Sequence, residues 1–384
     1  MPMKNHLSPE QLQRRAISKE EDVRGPYYRD TTAIIHCSAF RRLKQKTQVF
    51  YAPANDHICT RIEHSLHVAS IASTICRGLG LDSELAWAIG MGHDLGHTPF
   101  GHTGETILSK KMVEAGLPAF EHELHSLRVV DFLSNGGKGL NLTYAVRDGI
   151  ASHNGEMLLR AVQPTFEVKD LSSLSSRVGL LPATWEAAVV RQSDTIAYIG
   201  RDFEDATRLG LIEWEELDPA IRKTLGSSNA QIIDTLVMDI IRSSSKEEGI
   251  CFSDEVFEQV EAMMRFNYQR IYKSPLLESY ERYFTRLFTL VADYLKYLLE
   301  ECREDERCYR GERNMLAGGF YRHLMEIKET YLAHDGNLDR LRFDYIAGMS
   351  DTFCLECANE ILKPEYLNDE IATAMASKWF DVSK

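Results

Sequence analysis

The sequence predicts an all-α protein, and three observations support this prediction. Along most of the 384 residues, apolar side chains recur three and four positions apart, which is the period of an amphipathic helix. Alternation of apolar and polar residues, the pattern of a half-buried strand, never extends beyond a few residues. The sequence also shows no internal repeat, so we expect one helical core to which further helices are added.

The composition is typical of a soluble globular protein, with 44% hydrophobic and 26% charged residues. The net charge of −13 argues against nucleic acid as the main partner, because phosphate backbones require a broad basic face. No apolar run approaches the roughly 20 residues that span a bilayer, and the first residues lack the apolar core of a signal peptide. Eight cysteines in so long a chain do not indicate a disulfide framework. We therefore predict a cytoplasmic protein with no membrane association.

Residues 1–60 are predicted to form N-terminal helices and a basic segment of the substrate pocket. Ser8 followed by Pro9 is typical of a helix start, which predicts a helix over 8–23. A second helix is predicted over 29–46, and Arg and Lys side chains lie at its end. Such a basic run is either a solvated helix face or a local contact for an anionic substrate.

The next segment, 61–210, is predicted to be the functional core. Eight of the thirteen histidines lie between His57 and His125, and buried imidazoles are costly unless they have polar partners. Within this region the stretch 90–105 is rich in His, Asp and Glu and is interrupted by glycines and a proline. Because such a stretch is a poor buried helix, it indicates a site that requires these side chains.

Two helices are predicted to bring metal ligands together. His64 lies on the apolar face of the helix predicted over 60–79, and His93 and Asp94 follow the helix predicted over 82–91. A lone histidine on an apolar face is more often a core residue than a ligand. Adjacent His and Asp can supply a nitrogen and an oxygen to one ion, so the three residues together favour a metal site.

A long helix predicted over 185–209 is the second informative stretch. Asp194, Tyr198 and Asp202 are four residues apart and therefore project from one face, while apolar side chains anchor the helix to the core. Two acids in a row close to a core are costly unless they bind something. The alternative is a solvent-facing stripe with no role.

The remaining segments are expected to be mostly helical connections and packing surfaces. Further helices are predicted up to residue 115 and over 120–133, the His-Asn-Gly sequence at 153–155 is a candidate pocket edge, and 161–182 is predicted to be a connecting loop. The segment 211–384 is predicted to be helical, to belong to the same globular unit and to supply assembly surface.

These residues resemble a known superfamily. His64, the His93-Asp94 pair and Asp194 match the H…HD…D signature of HD metal-dependent phosphohydrolases. Longer motifs are similar to the bacterial deoxyguanosinetriphosphate triphosphohydrolase-like family, in order along the chain from about residue 25 to about residue 360. These motifs are SAFRRLKQKTQVF at 38–50, RIEHSL at 61–66, GHDLGHTPFGH at 92–102 and DYIAGM at 344–349. The resemblance implies an HD-domain helical core with additional C-terminal helices.

The resemblance also implies the reaction. A divalent ion on His64, His93, Asp94 and Asp194 would assist hydrolysis of a deoxynucleoside triphosphate, dGTP or dNTPs generally, to the deoxynucleoside and inorganic triphosphate. A mixed nitrogen and oxygen ligand set suits Mn, Fe, Co, Ni or Zn. For this family we expect Mn²⁺ or Mg²⁺ first, with Fe, Co, Ni or Zn as alternatives.

Roles for further residues follow from the same resemblance. It implies catalytic roles for His102, Glu105 and His122, without deciding which histidine donates the proton to the leaving 5′-oxygen. It places Gln48 and Asp202 at the sugar 3′-hydroxyl, Tyr198 against the deoxyribose, and Arg61 and His97 at the phosphates.

Two other functions remain open. The chain could be an HD phosphohydrolase acting on another nucleotide, or a regulatory protein that binds a nucleotide or single-stranded DNA, with Arg41 to Lys46 as the basic contact. The family resemblance further implies a homo-oligomer, a hexamer or another multimer, with weak single-stranded DNA binding as an additional expectation.

Overall fold

A computed structural model describes residues 3–20, 22–51, 55–154 and 158–363, and the elements of these residues are almost entirely helical. The all-α prediction is therefore confirmed. In the described ranges the sheet content is a two-stranded antiparallel ladder of β1 (Ala161–Val162) and β2 (Ile250–Cys251), in which Ala161 lies opposite Cys251. Gly155 of the candidate pocket edge and residues 364–384 of the predicted C-terminal segment lie outside the described residues.

The first half of the chain supplies the helices around the histidines. They are α1 (Pro9–Gln13), α2 (Gly25–His36), α3 (Ser38–Arg42), α4 (Arg61–Leu79), α5 (Ser83–Gly92), α6 (Gly101–Glu114), α7 (His122–Arg128), α8 (Tyr144–Ser152) and α9 (Trp185–Arg208). Short 3₁₀ segments cover Leu43–Gln45 and Leu171–Ser173, and a π-helical segment, Val129–Leu133, extends α7.

The second half continues as helices. They are α10 (Pro219–Leu225), α11 (Asn229–Ser243), α12 (Asp254–Asn267), α13 (Pro275–Tyr297), α14 (Glu306–Gly311), α15 (Met315–His334), α16 (Leu341–Ala347) and α17 (Asp351–Leu362). A 3₁₀ segment covers Trp214–Glu216, and π-helical segments cover Tyr268–Tyr272 and Leu298–Cys302. No helix in these described ranges is both long and apolar enough to cross a lipid bilayer.

Helix α4 begins and ends at clear sequence signals. Thr60 and Glu63 form a capping box at its start, and Gly80 adopts the left-handed conformation at its end, where glycine carries no steric cost. Val68 and Ile75 on its inner face are fully buried. This face packs against α5 and α9, which places the three helices that carry the predicted ligands side by side.

The crossing of α4 and α5 depends on Gly90. A Cβ atom added at Gly90 would lie 2.7 Å from the Cα of Ala69 in α4, a distance that real Cβ atoms do not reach. The two backbones therefore approach more closely than any larger residue would allow. This close approach brings the end of α5, with His93 and Asp94, alongside the first turns of α4.

Two predicted helices are shorter than expected because side chains redirect the chain. The helix predicted over 8–23 ends at Gln13, and Arg15 turns inward to pair with the buried Asp30 and the carbonyl of Asn141. The helix predicted over 29–46 breaks at Cys37, whose sulfur accepts a hydrogen bond from the Phe40 amide and thus begins α3.

The apolar side chains form two clusters. The first includes residues of α2, α4, α5, α8 and α9 and extends to α10, α11 and α12. The second joins Ile107 and Leu108 of α6 to α13, α15, α16 and α17. Phe100, directly before α6, belongs to the second cluster and stacks on Phe284 with ring centroids 3.9 Å apart. The stretch 93–105 therefore lies where the two clusters meet.

Candidate active site

Three of the four predicted metal ligands form one buried group. Nε2 of His64 is 2.9 Å from Oδ1 of Asp194, and Nε2 of His93 is 4.0 Å from the same oxygen. The donor atoms of the three residues all lie within 4.8 Å of one another. His64 comes from α4, His93 from the end of α5 and Asp194 from α9, so the packing of these three helices creates the group.

His93 has the protonation state that a metal ligand requires. Its Nδ1 is 2.7 Å from the carbonyl oxygen of Gly90, which can only accept, so Nδ1 carries the proton. Burial lowers the pKa of His93 to about 4, although Asp94 opposes this shift, and the ring is neutral at pH 7. Within the described protein, Nε2 is buried and has no hydrogen-bond partner. A divalent cation would satisfy it, so these residues fit the ion that the resemblance implies.

Asp94 is held beside this group by Arg61. Its Oδ2 is 3.9 Å from Nε2 of His93 and accepts a hydrogen bond of 2.6 Å from Nη1 of Arg61. Burial raises the pKa of the Asp94 carboxyl, but Arg61 together with His93, His97 and His64 outweighs burial and holds the pKa well below its usual range. Arg61 also donates to the carbonyls of Thr47 and Gln48, so its guanidinium orients Asp94, and its predicted contact with phosphate stays a prediction.

The predicted catalytic residues form a second group next to the first. The Glu105 carboxylate lies 3.0 and 3.1 Å from Nδ1 of His122 and also accepts from the His122 amide. Nδ1 of His102 is 3.8 Å from Glu105, and the His102 side chain is 51% exposed. Burial raises the pKa of Glu105, but His122 and His102 hold it well below its usual value. Glu105 is therefore an ionised acceptor between the two imidazoles.

His97 is fully buried beside these residues. Its ring lies 4.6 Å from that of His122, and its Nε2 is 3.6 Å from Glu105. Burial lowers the pKa of His97 well below its ordinary value. Neither ring nitrogen has a hydrogen-bond partner within the described ranges, which leaves both for a ligand.

The predicted sugar-binding residues come from the loop before α4 and from α9. Gln48 is buried, and no described group hydrogen-bonds its side-chain oxygen. Asp202 is buried and accepts a hydrogen bond of 2.6 Å from the hydroxyl of Tyr272, while burial raises its pKa to about 6. Tyr198, one turn before Asp202, is half-buried, and its hydroxyl lies 3.6 Å from the sulfur of Met264.

Sequence reasoning missed two residues of this site. His153, which appeared only as part of a candidate pocket edge, is fully buried at the end of α8 with its Nε2 3.2 Å from that of His122. The sequence feature that could have identified His153 is its position directly after an amphipathic helix in a histidine-rich chain. Tyr272 gave no signal, because its contact with Asp202 spans 70 residues.

The C-terminal helices support the loops of the site directly. Asp351, at the start of α17, accepts hydrogen bonds from Thr47 through one carboxylate oxygen and from the Phe100 amide through the other. The side chain of Lys46 donates to the carbonyls of His97 and Ala347. The segment before Gln48 and the segment before α6 are thus both held by α16 and α17.

A further contact from α16 reaches the loop through α7. Nδ1 of His125 is 2.7 Å from the carbonyl of Gly96, and Nε2 of His125 is 3.4 Å from Asp344. Arg128 and Arg340 also bind Asp344, and the pKa of its carboxyl lies far below the usual value although burial raises it. The loop at Gly96 is therefore connected through His125 to an ionised carboxylate, that of Asp344.

Comparison with known protein families identifies a domain in the part of the chain that carries the candidate metal ligands. Residues 61–199 match the family model of the HD domain, and the four predicted metal ligands lie within that range. Fold and site together define an HD-domain protein with a candidate metal centre.

Relatives match over most of the chain. It is 36% identical to the deoxyguanosinetriphosphate triphosphohydrolase-like protein of Caldanaerobacter subterraneus, over 91% of this chain and 89% of that protein. A protein of the same description from Clostridium tetani is 33% identical over 90% of this chain and 88% of its own. One from Desulfatibacillum aliphaticivorans is 38% identical over 67% and 69%. The chain belongs to the deoxyguanosinetriphosphate triphosphohydrolase-like family of HD-domain phosphohydrolases.

Proposed function

We propose that the protein hydrolyses deoxynucleoside triphosphates, dGTP or dNTPs generally, to the deoxynucleoside and inorganic triphosphate. The observation that carries this proposal is the placement of the Glu105–His122 pair directly beside the buried group of His64, His93 and Asp194. Family membership and the names of the relatives support the same conclusion.

A divalent ion would be held by His64, His93, Asp94 and Asp194, with Mn²⁺ or Mg²⁺ as first choices and Fe, Co, Ni or Zn as alternatives. When bound there, it supplies polarisation of a phosphate oxygen and a more acidic water molecule. Arg61 keeps Asp94 ionised and oriented through the 2.6 Å hydrogen bond between them.

Proton transfer is assigned to the group around Glu105. The leaving 5′-oxygen requires a proton, and a donor must reach both that oxygen and the solvent. His102 is half-exposed, whereas His122 is buried, so we assign the donor role to His102, with Glu105 orienting its ring. His97 is assigned to the phosphates because its two buried nitrogens are left for a ligand.

Recognition of the sugar is assigned to Gln48, Tyr198 and Asp202. A 3′-hydroxyl can donate to the buried side-chain oxygen of Gln48, and Asp202 remains fixed by Tyr272. Tyr198 packing against the ring would exclude a 2′-hydroxyl, which gives a steric reason for a deoxy substrate.

Assembly is a further part of the proposal. We propose a homo-oligomer, a hexamer or another multimer, in which α13 and α15 provide contact surface. Tyr283, Tyr297, Met315 and Met325 support it, since these large side chains are exposed on the two helices. Weak single-stranded DNA binding and a cytoplasmic location remain proposals. For DNA binding, only Arg41 and Lys44 of the basic run are exposed, because Arg42 is half-buried and Lys46 is buried.

The test is product analysis with metal-loaded protein. Each dNTP is supplied alone and in a mixture of all four, and the products are separated by ion-exchange chromatography. Deoxynucleoside with triphosphate is expected, and D94A should abolish it while the circular dichroism spectrum stays unchanged. The control D131A removes a carboxylate that pairs with Arg147 instead.

Other products would contradict the proposal. Orthophosphate release would favour the second candidate, an HD phosphohydrolase acting on another nucleotide. Full turnover by D94A would exclude the assigned site. Nucleotide binding without turnover under any metal would favour a regulatory nucleotide- or DNA-binding protein. A gel shift with single-stranded DNA across a salt series would then test DNA binding.

A further inference from the structure

The turn that leads into α6 has an unusual backbone conformation. Phe100 has a φ of 61° and a ψ of 30°, which is the left-handed region, and Gly101 follows with a φ of 60°. In a bulky residue this conformation is rare and strained, so the surrounding structure must hold it in place. Of the six non-glycine residues with positive φ in the described ranges, Phe100 is the one within the stretch 93–105. None of the roles assigned above involves its side chain.

The direction of α6 depends on this turn. Phe100 is the residue directly before the helix, and His102 and Glu105 follow at the start of the helix. A rotation about the φ or ψ bond of Phe100 would swing everything that follows relative to the segment that carries His97, because these two dihedral angles are the only soft ones at each residue. The left-handed conformation of Phe100 therefore determines where the His102 and Glu105 side chains point.

The same turn lies against the predicted sugar-binding segment. A Cβ atom added at Gly101 would be 2.6 Å from the carbonyl oxygen of Gln48, so the two backbones are in direct contact. On its other side, the Phe100 amide donates a hydrogen bond of 2.9 Å to Asp351. A shift of the turn would thus change the distance between Gln48 and His102, two residues that the proposed function places on the same substrate.

The ring of Phe100 anchors the turn in the second apolar cluster. It is buried, and it stacks on the ring of Phe284 in α13 with centroids 3.9 Å apart and an interplanar angle of 13°. The Tyr51 ring meets these two rings edge-on, at 5.6 and 5.7 Å. Such aromatic contacts stabilise a pair beyond the burial of its surface. A glycine at position 100 would relieve the strain in the backbone, but it would lack this anchor.

We propose that Phe100 is a positioning residue for the proposed hydrolysis. Its stacking on Phe284 holds the left-handed turn, and the turn directs His102 and Glu105 towards the substrate. This inference rests on the proposed function, since the roles of His102 and Glu105 come from it. Because Phe100 acts through groups that work in the chemical step, loss of its anchor should lower kcat and leave KM for dGTP nearly unchanged.

The first test removes the stacking partner and leaves Phe100 in place. F284L is compared with F320L, the same change at a buried residue of α15 that belongs to the same cluster and contacts the Tyr345 ring instead. With metal-loaded protein and dGTP, we expect kcat to fall at least about tenfold in F284L and to stay within about twofold of wild type in F320L, because small misplacements of catalytic groups are costly. Equal losses of kcat in the two variants would reduce the effect to general packing and overturn the proposal.

A second pair of variants tests the backbone conformation directly. F100G and F100V both lose the ring, but glycine adopts the left-handed region without steric cost, whereas a β-branched residue resists it. We expect kcat to be at least about tenfold higher in F100G than in F100V, since the glycine variant can keep the direction of α6. Equal kcat values would show that the conformation of residue 100 does not matter. If F100V does not fold, the comparison of F284L with F320L decides.

A third measurement does not depend on activity. Amide hydrogen exchange of residues 98–106, followed by mass spectrometry, should be faster in F284L than in the wild type and unchanged in F320L, because exchange reports local opening. Unchanged exchange in F284L would overturn the inference even in an active enzyme. Faster exchange in F284L, combined with no triphosphate release from any dNTP by the wild type, would keep the anchoring role of Phe100 and reject the proposed function, so the two failures are distinguishable.

Discussion

The side-chain nitrogen of Lys46 is 2.8 Å from the carbonyl oxygen of Ala347, and 301 positions separate the two residues in the chain. The same nitrogen binds the carbonyl of His97, in the loop that follows the predicted ligands His93 and Asp94. One buried side chain thus connects the N-terminal segment, the site loop and α16.

Removing this connection should lower stability. In K46M the carbonyls of His97 and Ala347 lose their donor, and an unsatisfied buried carbonyl costs about 1–3 kcal/mol. We expect a loss of that order in the free energy of unfolding at pH 9, measured by urea denaturation. The control is K44M, which alters an exposed lysine two positions earlier and should change the free energy by less than about 0.5 kcal/mol. Equal losses in both variants would exclude this role for Lys46.

The stability that Lys46 provides should depend on pH. Burial, assisted by Arg42, lowers the pKa of Lys46 from 10.5 to about 7, while Asp351 opposes the shift. Between pH 7 and 10.5 the unfolded chain holds a proton on Lys46 that the folded protein lacks, so the free energy of unfolding rises with pH in this range. The contribution of Lys46 to stability is therefore complete above pH 10.5 and is lost as the pH falls to 7. The difference in free energy of unfolding between wild type and K46M should therefore widen from pH 7 to pH 9. A difference that stays constant would contradict the lowered pKa.

Asp351 should affect catalysis without binding substrate. Its carboxylate accepts from Thr47 on one side and from the Phe100 amide on the other, and D351N replaces one acceptor with a donor. We expect a fall of at least about tenfold in kcat, because small misplacements of catalytic groups are costly. Steady-state kinetics measure the change in kcat, and the metal content per chain of D351N should stay at the wild-type value.

The neighbouring exposed residue provides the matched control for Asp351. T352V changes the next side chain of α17 and should retain wild-type kcat. Metal loss in D351N would instead indicate that the variant disturbs the ligands themselves.

Tyr198 should determine the choice between deoxy and ribo substrates. If its ring packs against the sugar, Y198A opens space for a 2′-hydroxyl, and the ratio of kcat/KM for dGTP over GTP should fall by about tenfold or more. Competition between the two nucleotides measures the ratio directly. Y268A, which removes an exposed tyrosine from the helical segment that carries Tyr272, should leave the ratio unchanged. An unaltered ratio in Y198A would place the selectivity elsewhere.

Local signals in the sequence predicted the part of the fold that local interactions determine. The capping box of Thr60 and Glu63, the left-handed Gly80 and the apolar face of α4 are all readable in sequence, and this helix begins where it was predicted. The helix predicted over 8–23 ends early because Arg15 pairs with Asp30, a tertiary contact that the helical pattern does not show.

The residues of the candidate site also divide into those that the sequence predicted and those that only tertiary contacts reveal. Residue pattern and family resemblance together predicted the ligands His64, His93, Asp94 and Asp194. The structure brings His64, His93 and Asp194 together, although their roles stay predictions. The contacts of Lys46 with Ala347 and of Asp351 with Thr47 were not predicted, because the partners lie 301 and 304 positions apart and no periodicity connects them. The C-terminal helices were expected to supply packing and assembly surface, yet two of them also hold the loops of the site.

These contacts from α16 and α17 also have a consequence for the order of synthesis. Helices α4, α5 and α9, which carry the candidate ligands, leave the ribosome well before residues 344–351 do. A nascent chain can therefore assemble the ligand group while the Gln48 and His97 segments still lack their carboxylate and carbonyl partners. A site that includes those segments is complete only when the last of these helices docks.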